Sequence, residues 1–400
     1  MTRSTRTLAF HAGAALLVLF ELANVYFIMP LPGSQRTRSL ELAYALYSWR
    51  WGIRGLAIVL MAVGLPAMWR GAHRYALAAW LLVAGAATYA FNFRMAADQM
   101  FRQPNVVRLV PLAANGVAMD RLVVGVEIDG QARAYPLQFI GYHHQVRDTV
   151  AGRVVLVSYC TVCRTGRVFL PLVEGKRETF RLVGMDHFNA MLEDATTGSW
   201  WRQANGEAVV GPRKGTVMEE VPSRQVTLRQ WAALYPHTLV MQADSAFLEE
   251  YDKDYAFERG TSRKTLTGTD TASWREKSWV VGLTVKEQSR AYDWNHLERT
   301  KVINDVLGGV PIVIALASDS ASFFAFERPS PSVTFTIERD SLIVISDAGG
   351  PRYALNGKGP AGTLVPLNAS QEFWHSWRTF QPTTDRFPRE AGSRIGEMDP

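Results

Sequence analysis

Three long apolar runs lie within the first 102 residues of the chain. The first, at 8–29, has about 22 residues, enough to cross the hydrocarbon core of a bilayer as a helix. A polar start with Arg3 and Arg6 precedes it, but no small-x-small cleavage site follows, so we interpret it as a retained span. The second and third runs, 51–69 and 75–91, have aromatic residues near their ends, as is typical of membrane interfaces. The pattern predicts three transmembrane helices.

Beyond residue 102 the pattern changes to short runs of β-branched and other apolar residues, separated by Gly and Asp turns. Such runs occupy 122–128, 153–159, 167–173 and 310–316. Helix-like stretches are short, at 135–144, 228–234 and 373–380. The predicted fold class is therefore an N-terminal α-helical transmembrane bundle followed by a mainly β soluble part.

The soluble part contains a sequence repeat at a constant offset of 157 residues. Residues 123–135 match 280–292, with identical Val, Gly, Gln, Arg, Ala and Tyr residues. The offset continues without a gap and pairs Asp148 with Asp305. Agreement over so many special residues predicts two tandem homologous lobes.

The repeat extends towards the C-terminus, where Trp231 aligns with Trp377 after a change of register. The predicted organisation is a membrane region (1–102), a first β-rich lobe (103–245), a linker (246–277) and a second, degenerate β-rich lobe (278–400). Because exposed sheet edges of sister lobes usually pair, we expect the two lobes to pack against each other.

The positive charge of the chain belongs to the membrane region. Residues 1–102 contain ten arginines, no lysine and three acids, a net charge of +7, whereas the whole chain has +6. The soluble part therefore has a net charge of −1 and lacks the basic surface that a nucleic-acid partner requires. The expected partners are the lipid bilayer, whose headgroups favour nearby arginines, and an unknown protein or small molecule.

The only two cysteines of the chain, Cys160 and Cys163, form a Cys-x-x-Cys motif in a predicted strand-to-strand turn. Arg164 and Arg167 are close enough in sequence to favour a thiolate. Two such sulfurs can exchange disulfides or bind one metal ion, which then needs further ligands from elsewhere. A structural disulfide and inert buried thiols are the competing interpretations.

Histidines are the candidate neighbours of these sulfurs. His143 and His144 end the preceding short helix, and His187 lies in a segment flanked by Asp186 and Asp194. Either acid could orient the imidazole of His187, although solvated loop acids are the simpler interpretation.

The second lobe lacks this set of residues. At the offset of 157, the counterparts of the two cysteines and of the two helix-end histidines are Ala317, Ser320, Thr300 and Lys301. The sequence therefore predicts that the first lobe keeps the chemistry and that the second keeps only the shape.

Four segments carry a wider pattern: His143 to Asp148, Tyr159 to Arg164, Thr197 to Gln203, and Trp231 followed by Pro236 and Thr238. Together they resemble the motifs of the domain of unknown function 3179 family of bacteria and archaea. The chain departs from the family pattern at His144, Arg147, Thr161 and Arg164, where the family has Glu, Asn, Pro and Gly. The family has no established reaction, and its members commonly look exported. The resemblance implies a bacterial or archaeal protein with an extracytoplasmic soluble part, and the three predicted spans make it a multi-pass membrane protein.

Three functions follow as alternatives. The first is dithiol/disulfide exchange, with Cys160 as the attacking thiol and Cys163 as the resolving thiol. The second is binding of a soft metal, copper or zinc, by Cys160 and Cys163 with His143 or His187. The third is a non-catalytic interaction module held at the membrane. No phosphate-binding loop or dinucleotide fingerprint is present, so no nucleotide cofactor is expected, and the sequence leaves open whether the protein is an enzyme.

Overall fold

The computed structural model describes residues 2–36, 39–69, 72–345 and 350–388. Within these ranges the α-helices are α1 (Arg3–Tyr26), α2 (Leu40–Ser48), α3 (Arg50–Met68), α4 (His73–Tyr89), α5 (Ala97–Met100), α6 (Leu137–His143), α7 (Leu228–Leu234), α8 (Trp294–Thr300) and α9 (Trp374–Phe380). A π-helical turn, Ala90–Arg94, extends α4.

The strands up to residue 241 are β1 (Leu109–Pro111), β2 (Leu122–Ile128), β3 (Gln131–Pro136), β4 (Gln145–Val150), β5 (Arg153–Cys160), β6 (Thr165–Phe169), β7 (Leu172–Val173), β8 (Lys176–Arg177), β9 (Phe180–Asp186), β10 (Asn189–Asp194), β11 (Trp200–Arg202), β12 (Ala208–Val210), β13 (Ser223–Thr227) and β14 (Leu239–Met241). Those that follow are β15 (Trp279–Val285), β16 (Gln288–Asp293), β17 (Val302–Leu307), β18 (Val310–Leu316), β19 (Phe323–Glu327), β20 (Phe335–Glu338), β21 (Ser341–Val344), β22 (Arg352–Ala354), β23 (Lys358–Gly359), β24 (Gly362–Thr363), β25 (Ala369–Phe373) and β26 (Asp385–Phe387). The predicted sequence of N-terminal helices and a mainly β remainder is confirmed.

The three predicted spans are present as helices. Segments Arg3–Tyr26, Arg50–Met68 and His73–Arg94 are each long and apolar enough to cross a membrane. The first and second of these helices approach closely at Gly13, where an added Cβ would lie 2.7 Å from the backbone oxygen of Ala57. The sequence did not predict α2, which is too short to span a bilayer.

Polar side chains join the three spans near the end where α1 stops. The guanidinium of Arg54 donates to both carboxylate oxygens of Glu21, at 2.8 and 2.9 Å, and the side-chain amide of Asn92 donates to Glu21 Oε2 at 2.9 Å. The side chain of Glu21 is fully buried. Because an unpaired charge in a bilayer is costly, this network fixes the three helices relative to each other.

The chain divides into two compact units, one of residues 1–102, 178–202 and 207–216 and the other of residues 103–177, 203–206 and 217–400. Residues 178–202 and 207–216, which belong to the predicted first lobe, group with the membrane region. They form a sheet of order β12-β11-β10-β9. Trp200 of this sheet packs edge-on against Tyr44 of α2 at 5.1 Å, and Met185 donates its backbone N–H to Ile28 at 2.8 Å. The predicted first lobe is thus shared between the two units.

The second unit contains two sheets with a matching strand order. In one, β14-β3-β2-β13 follow each other, and β1 is added beyond β14; in the other the order is β26-β16-β15-β25. In both sheets the strand that comes last in the sequence pairs in parallel with a central strand: β14 with β3, and β26 with β16. The three-stranded sheets β4-β5-β6 and β17-β18-β19 also correspond, and β3, α6 and β4 lie 157 residues before β16, α8 and β17. The common origin of the two lobes stays a prediction from the sequence.

A tryptophan packs on a glycine at the same place in each of these sheets. A Cβ on Gly125 would lie 2.4 Å from Trp231, and one on Gly282 would lie 2.1 Å from Trp377. Neither strand accommodates a side chain there, so the strand and its covering helix are tightly packed in both lobes.

The two lobes also share a hydrophobic core. One cluster contains buried residues of the first lobe, such as Val157 and Trp231, together with Val313 and Phe326 of the second lobe. The expected packing of lobe against lobe is therefore present within the second unit.

Candidate functional site

The cysteine turn (residues 160–165) connects two antiparallel strands. Cys160 is the last residue of β5 and lies opposite Thr165, the first residue of β6, so residues 161–164 form the connection and include Cys163. The predicted strand-to-strand position is confirmed. Both cysteines are thiols with no exposed surface. Thr161 is partly exposed, but neighbouring elements cover both sulfurs.

Helix α6 lies beside the cysteine turn. A Cβ on Gly141 would be 3.1 Å from the methyl group of Thr161, and the backbone N–H of Tyr159 donates to the carbonyl of His144 at 2.9 Å. The end of α6 is thus held alongside the end of β5. This places the two predicted helix-end histidines in the same part of the lobe as the cysteines.

His143 and His144 are both buried, but in different surroundings. His143 Nε2 lies 2.8 Å from the hydroxyl of Tyr251, and its ring packs edge-on against Phe247 at 5.1 Å. His144 ends α6 in a left-handed conformation with φ 60°, and its Nδ1 lies 3.0 Å from the carbonyl of Tyr142. Burial lowers the pKa of His144 to about 4, so this imidazole is neutral at physiological pH.

His187 belongs to the other compact unit, with the sheet β9–β12. Its Nδ1 lies 2.6 Å from Asp186 Oδ1, and Arg202 donates to Asp186 Oδ2 at 2.8 Å. Burial opposes ionisation, but the hydrogen bonds and charges of His187 and Arg202 hold the pKa of Asp186 below its usual value. Asp194 accepts from the indole N–H of Trp201 at 2.8 Å. Both acids are buried, so the interpretation as solvated loop acids is wrong.

The second lobe supplies groups that the sequence did not predict. The backbone N–H of Phe373, at the end of β25, donates to the carbonyl of Cys163 at 2.9 Å. His375, at the start of α9, is buried and has Nε2 at 3.3 Å from the carbonyl of Val162. Burial lowers the pKa of His375 to about 4. No spacing in the sequence links residue 375 to residue 162, so only the folded structure identifies this imidazole.

Arg164 leaves the cysteine turn and inserts between the lobes. Its backbone has φ 58°, and its side chain is fully buried. The guanidinium donates to Gln371 Oε1 at 2.8 Å and to the carbonyls of Phe257 and Glu258 at 2.8 and 3.0 Å. It also lies over the ring of Trp279, 3.7 Å from the centroid. These contacts of Arg164 are with the predicted linker and the second lobe.

Arg167 forms a buried ion pair at the same junction. Its guanidinium donates to Glu220 at 3.0 Å and to Glu372 at 2.8 Å. Ser370 and Ser376 donate to the two oxygens of Glu372 at 2.8 and 3.0 Å. Strand β25 is thereby attached to β6 by charge as well as by packing.

The ammonium group of Lys277 interacts electrostatically with Cys163 of the turn. Lys277 is partly buried, which lowers its pKa, whereas the negative charges of Asp270 and of a Cys163 thiolate raise it. By reciprocity, the ammonium favours the thiolate of Cys163.

The chemistry available at the cysteine turn is that of two sulfurs and nearby imidazoles. Among the residues that the structure describes, no group of three or more His, Cys, Asp or Glu side chains is arranged to hold a metal ion. Neither suggested set, the two cysteines with His143 or with His187, is therefore assembled in this structure.

Comparison with known proteins identifies one relationship. Residues 102–384, more than half of the chain, match the model of the protein family of unknown function DUF3179. No curated protein and no solved structure matches the chain. The chain belongs to the DUF3179 family.

Proposed function

We propose that this protein is a membrane-anchored thiol protein whose cysteine turn cycles between a dithiol and a disulfide. The observation that carries the proposal is the position of Cys160 and Cys163 at the start and within one four-residue connection between paired strands. Disulfide formation needs two sulfurs that can approach to bonding distance, and a Cys-x-x-Cys spacing within one short turn favours such an approach.

The reaction proceeds by two thiolate attacks. The thiolate of Cys160 attacks a sulfur of a partner disulfide, forms a mixed disulfide and releases one partner thiolate. The thiolate of Cys163 then attacks the sulfur of Cys160 and releases the second. Two electrons pass to the partner, and two protons leave the cysteines and are taken up by the partner thiolates.

Lys277 supports proton removal from these thiols, and His375 positions the turn. His375 Nε2 lies 3.3 Å from the carbonyl of Val162, and with a pKa of about 4 this imidazole is neutral at physiological pH and too weak a base to accept a thiol proton. The ammonium of Lys277 favours the charged form of Cys163. We assign His375 and Lys277 as positioning and electrostatic groups.

The proposed setting is the outer side of a bacterial or archaeal cell membrane. The three candidate spans support membrane association. Disulfide exchange is sustained in oxidising compartments, which matches the exported character that the family resemblance implies.

The test uses the full-length chain in detergent micelles. The protein is equilibrated with oxidised or reduced glutathione in low urea, so that buried sulfurs are sampled, then quenched in acid, denatured and alkylated. The mass should show no alkylated thiol after oxidation and two after reduction, with C160S and C163S as controls that cannot close an internal disulfide. Two alkylated thiols under both conditions would eliminate the redox function and leave an anchored interaction module.

Binding of a soft metal is the second candidate. Two thiolates in a dry turn suit copper(I), which accepts sulfur ligands, and His143 lies at the neighbouring end of α6. Metal analysis of wild type and of C160S/C163S after loading with copper(I) or zinc separates the candidates. Equal metal content in the two proteins excludes this site.

A further inference from the structure

Three consecutive residues of the cysteine turn are bound by residues distant in sequence. Val162 and Cys163 use their carbonyls, which face His375 and the backbone N–H of Phe373. Arg164 uses its side chain, which reaches Gln371. We call residues 371–375, the end of β25 and the start of α9, the closing segment.

The closing segment is itself buried. Gln371, Glu372, Phe373, Trp374 and His375 are each at most 7% exposed. A reagent or a partner protein therefore has no direct approach to the sulfurs along this side. The two carbonyl partners of Arg164, at Phe257 and Glu258, lie outside the closing segment.

Arg164 is a costly residue for a purely structural contact. Its φ of 58° lies in the left-handed region that glycine adopts without strain. Its guanidinium hydrogen-bonds an amide and two backbone carbonyls, so a buried charge has only neutral acceptors among these bonds.

We propose that the closing segment is a gate over the dithiol, held shut by Arg164 together with the Arg167–Glu372 ion pair. The thiols react only in the open state, and the strength of these contacts sets how often that state occurs. The gate regulates the site of the proposed function and rests on it for its purpose, although access to the thiols can be measured without any disulfide chemistry.

The experiment measures the rate at which N-ethylmaleimide modifies the native full-length protein in micelles, detected by mass. In the variant R164G, glycine adopts the positive φ of residue 164 without strain, and every contact of the arginine side chain is lost. We expect its two thiols to react at least about tenfold faster than those of wild type, because loss of several bonds to a charged group shifts the opening equilibrium by that order. Q371A, which removes one acceptor, should give a smaller increase.

The matched control is S320G in the second lobe. Ser320 also has a positive φ, 54°, in the corresponding turn, but its side chain is exposed. The control should leave the labelling rate unchanged. Circular dichroism and the unfolding midpoint of R164G establish that it is folded, and Q371A serves if R164G is not.

The outcomes separate the gate from the redox function. Wild-type thiols that react as fast as in urea, or folded R164G and Q371A that react no faster than wild type, overturn the gate. Faster labelling of R164G supports it even if oxidised glutathione forms no disulfide, a result that overturns only the redox function.

Discussion

Each lobe has a turn at the equivalent position, and each turn contacts the residue that precedes a helix of the other lobe. In the cysteine turn, the carbonyl of Cys163 accepts from the backbone N–H of Phe373, which precedes α9. In the serine turn (residues 317–322), Ser322 Oγ accepts from the backbone N–H of Thr227, which precedes α7, at 2.9 Å. The joint between the lobes is thus made twice, in opposite directions.

The turns differ in what they present at this joint. Residues 318–320 of the serine turn are exposed, and Asp319 binds Thr227 with its carboxylate at 2.8 Å. The cysteine turn is closed over and uses main-chain carbonyls and Arg164 instead. Two corresponding turns therefore differ in exposure: the serine turn is open and polar, and the two thiols of the cysteine turn are buried. Residues of the second lobe, which lacks cysteines, help to bury them.

The largest expected effects test what the lobes have in common. W231A and W377A each remove a tryptophan that packs directly on a glycine strand, and each should cost about 3–5 kcal/mol of unfolding free energy. Chemical denaturation in micelles, followed by circular dichroism, measures the loss. V217A, at a valine of the second unit that is 61% exposed, is the control and should change stability by less than about 0.5 kcal/mol. If W377A did not lower the unfolding free energy, Trp377 would not stabilise the second lobe as Trp231 stabilises the first.

The next effect tests where the lobes differ. At the offset of 157, Arg167 corresponds to Phe324, so a buried charge stands where the other lobe has an aromatic ring. R167A leaves Glu372 buried without its cation and should cost about 3–5 kcal/mol, measured in the same way.

The control for R167A is another arginine of the same lobe. Arg153 pairs with Glu219 at the surface, with side chains 45% and 70% exposed, so R153A should cost less than about 1 kcal/mol. Equal losses in the two variants would contradict the buried ion pair.

Local patterns predicted the parts of this fold that local physics determines. The length of the apolar runs predicted the three membrane helices. The two short apolar runs around the cysteines predicted the strands β5 and β6, and the position of Cys160 and Cys163 between these runs predicted the turn. Each of these depends on residues near in sequence, for which hydrophobic period and turn chemistry are sufficient.

Contacts between distant segments were not predictable in the same way. Nothing in the spacing assigns residues 178–202 to the unit of the membrane helices, because their apolar faces match several partners until the chain folds. The second lobe lacks the cysteines, yet Gln371, Phe373 and His375, which contact the cysteine turn, come from it, and no local pattern predicted these contacts. The burial of the turn follows from these contacts.

A smaller effect concerns pH. The folded pKa of His375 is about 4, below the ordinary 6.5, so the unfolded chain binds a proton first as the pH falls. Stability from this group is complete above about pH 6.5 and is lost as the pH falls towards 4, by at most about 3 kcal/mol. H375Q should therefore flatten the dependence of unfolding free energy on pH between 7 and 4 relative to wild type.

Other groups contribute to the same profile and require controls. The pKa of His144 is also lowered, so its contribution to stability is likewise lost as the pH falls. Burial raises the pKa of Glu258 to about 7, so the contribution of this carboxyl to stability is present at low pH and is lost as the pH rises through 7. E258Q isolates that opposite slope. H237Q, at an exposed histidine, should leave the profile unchanged, and an unchanged profile in H375Q would mean that His375 is not buried neutral in the folded protein.

The smallest structural perturbation compares the two turns directly. S320C places a third thiol in the serine turn at the position that corresponds to Cys163, where the side chain is exposed, and should change stability by less than about 0.5 kcal/mol. Native labelling with N-ethylmaleimide should then show one fast thiol, at residue 320, and two slow ones. Three fast thiols would mean that the cysteine turn is not covered, and three slow ones would mean that both turns are. Only the mixed result shows that the lobes share a turn but differ in access, because the same reagent then meets the same chemical group on two corresponding backbones.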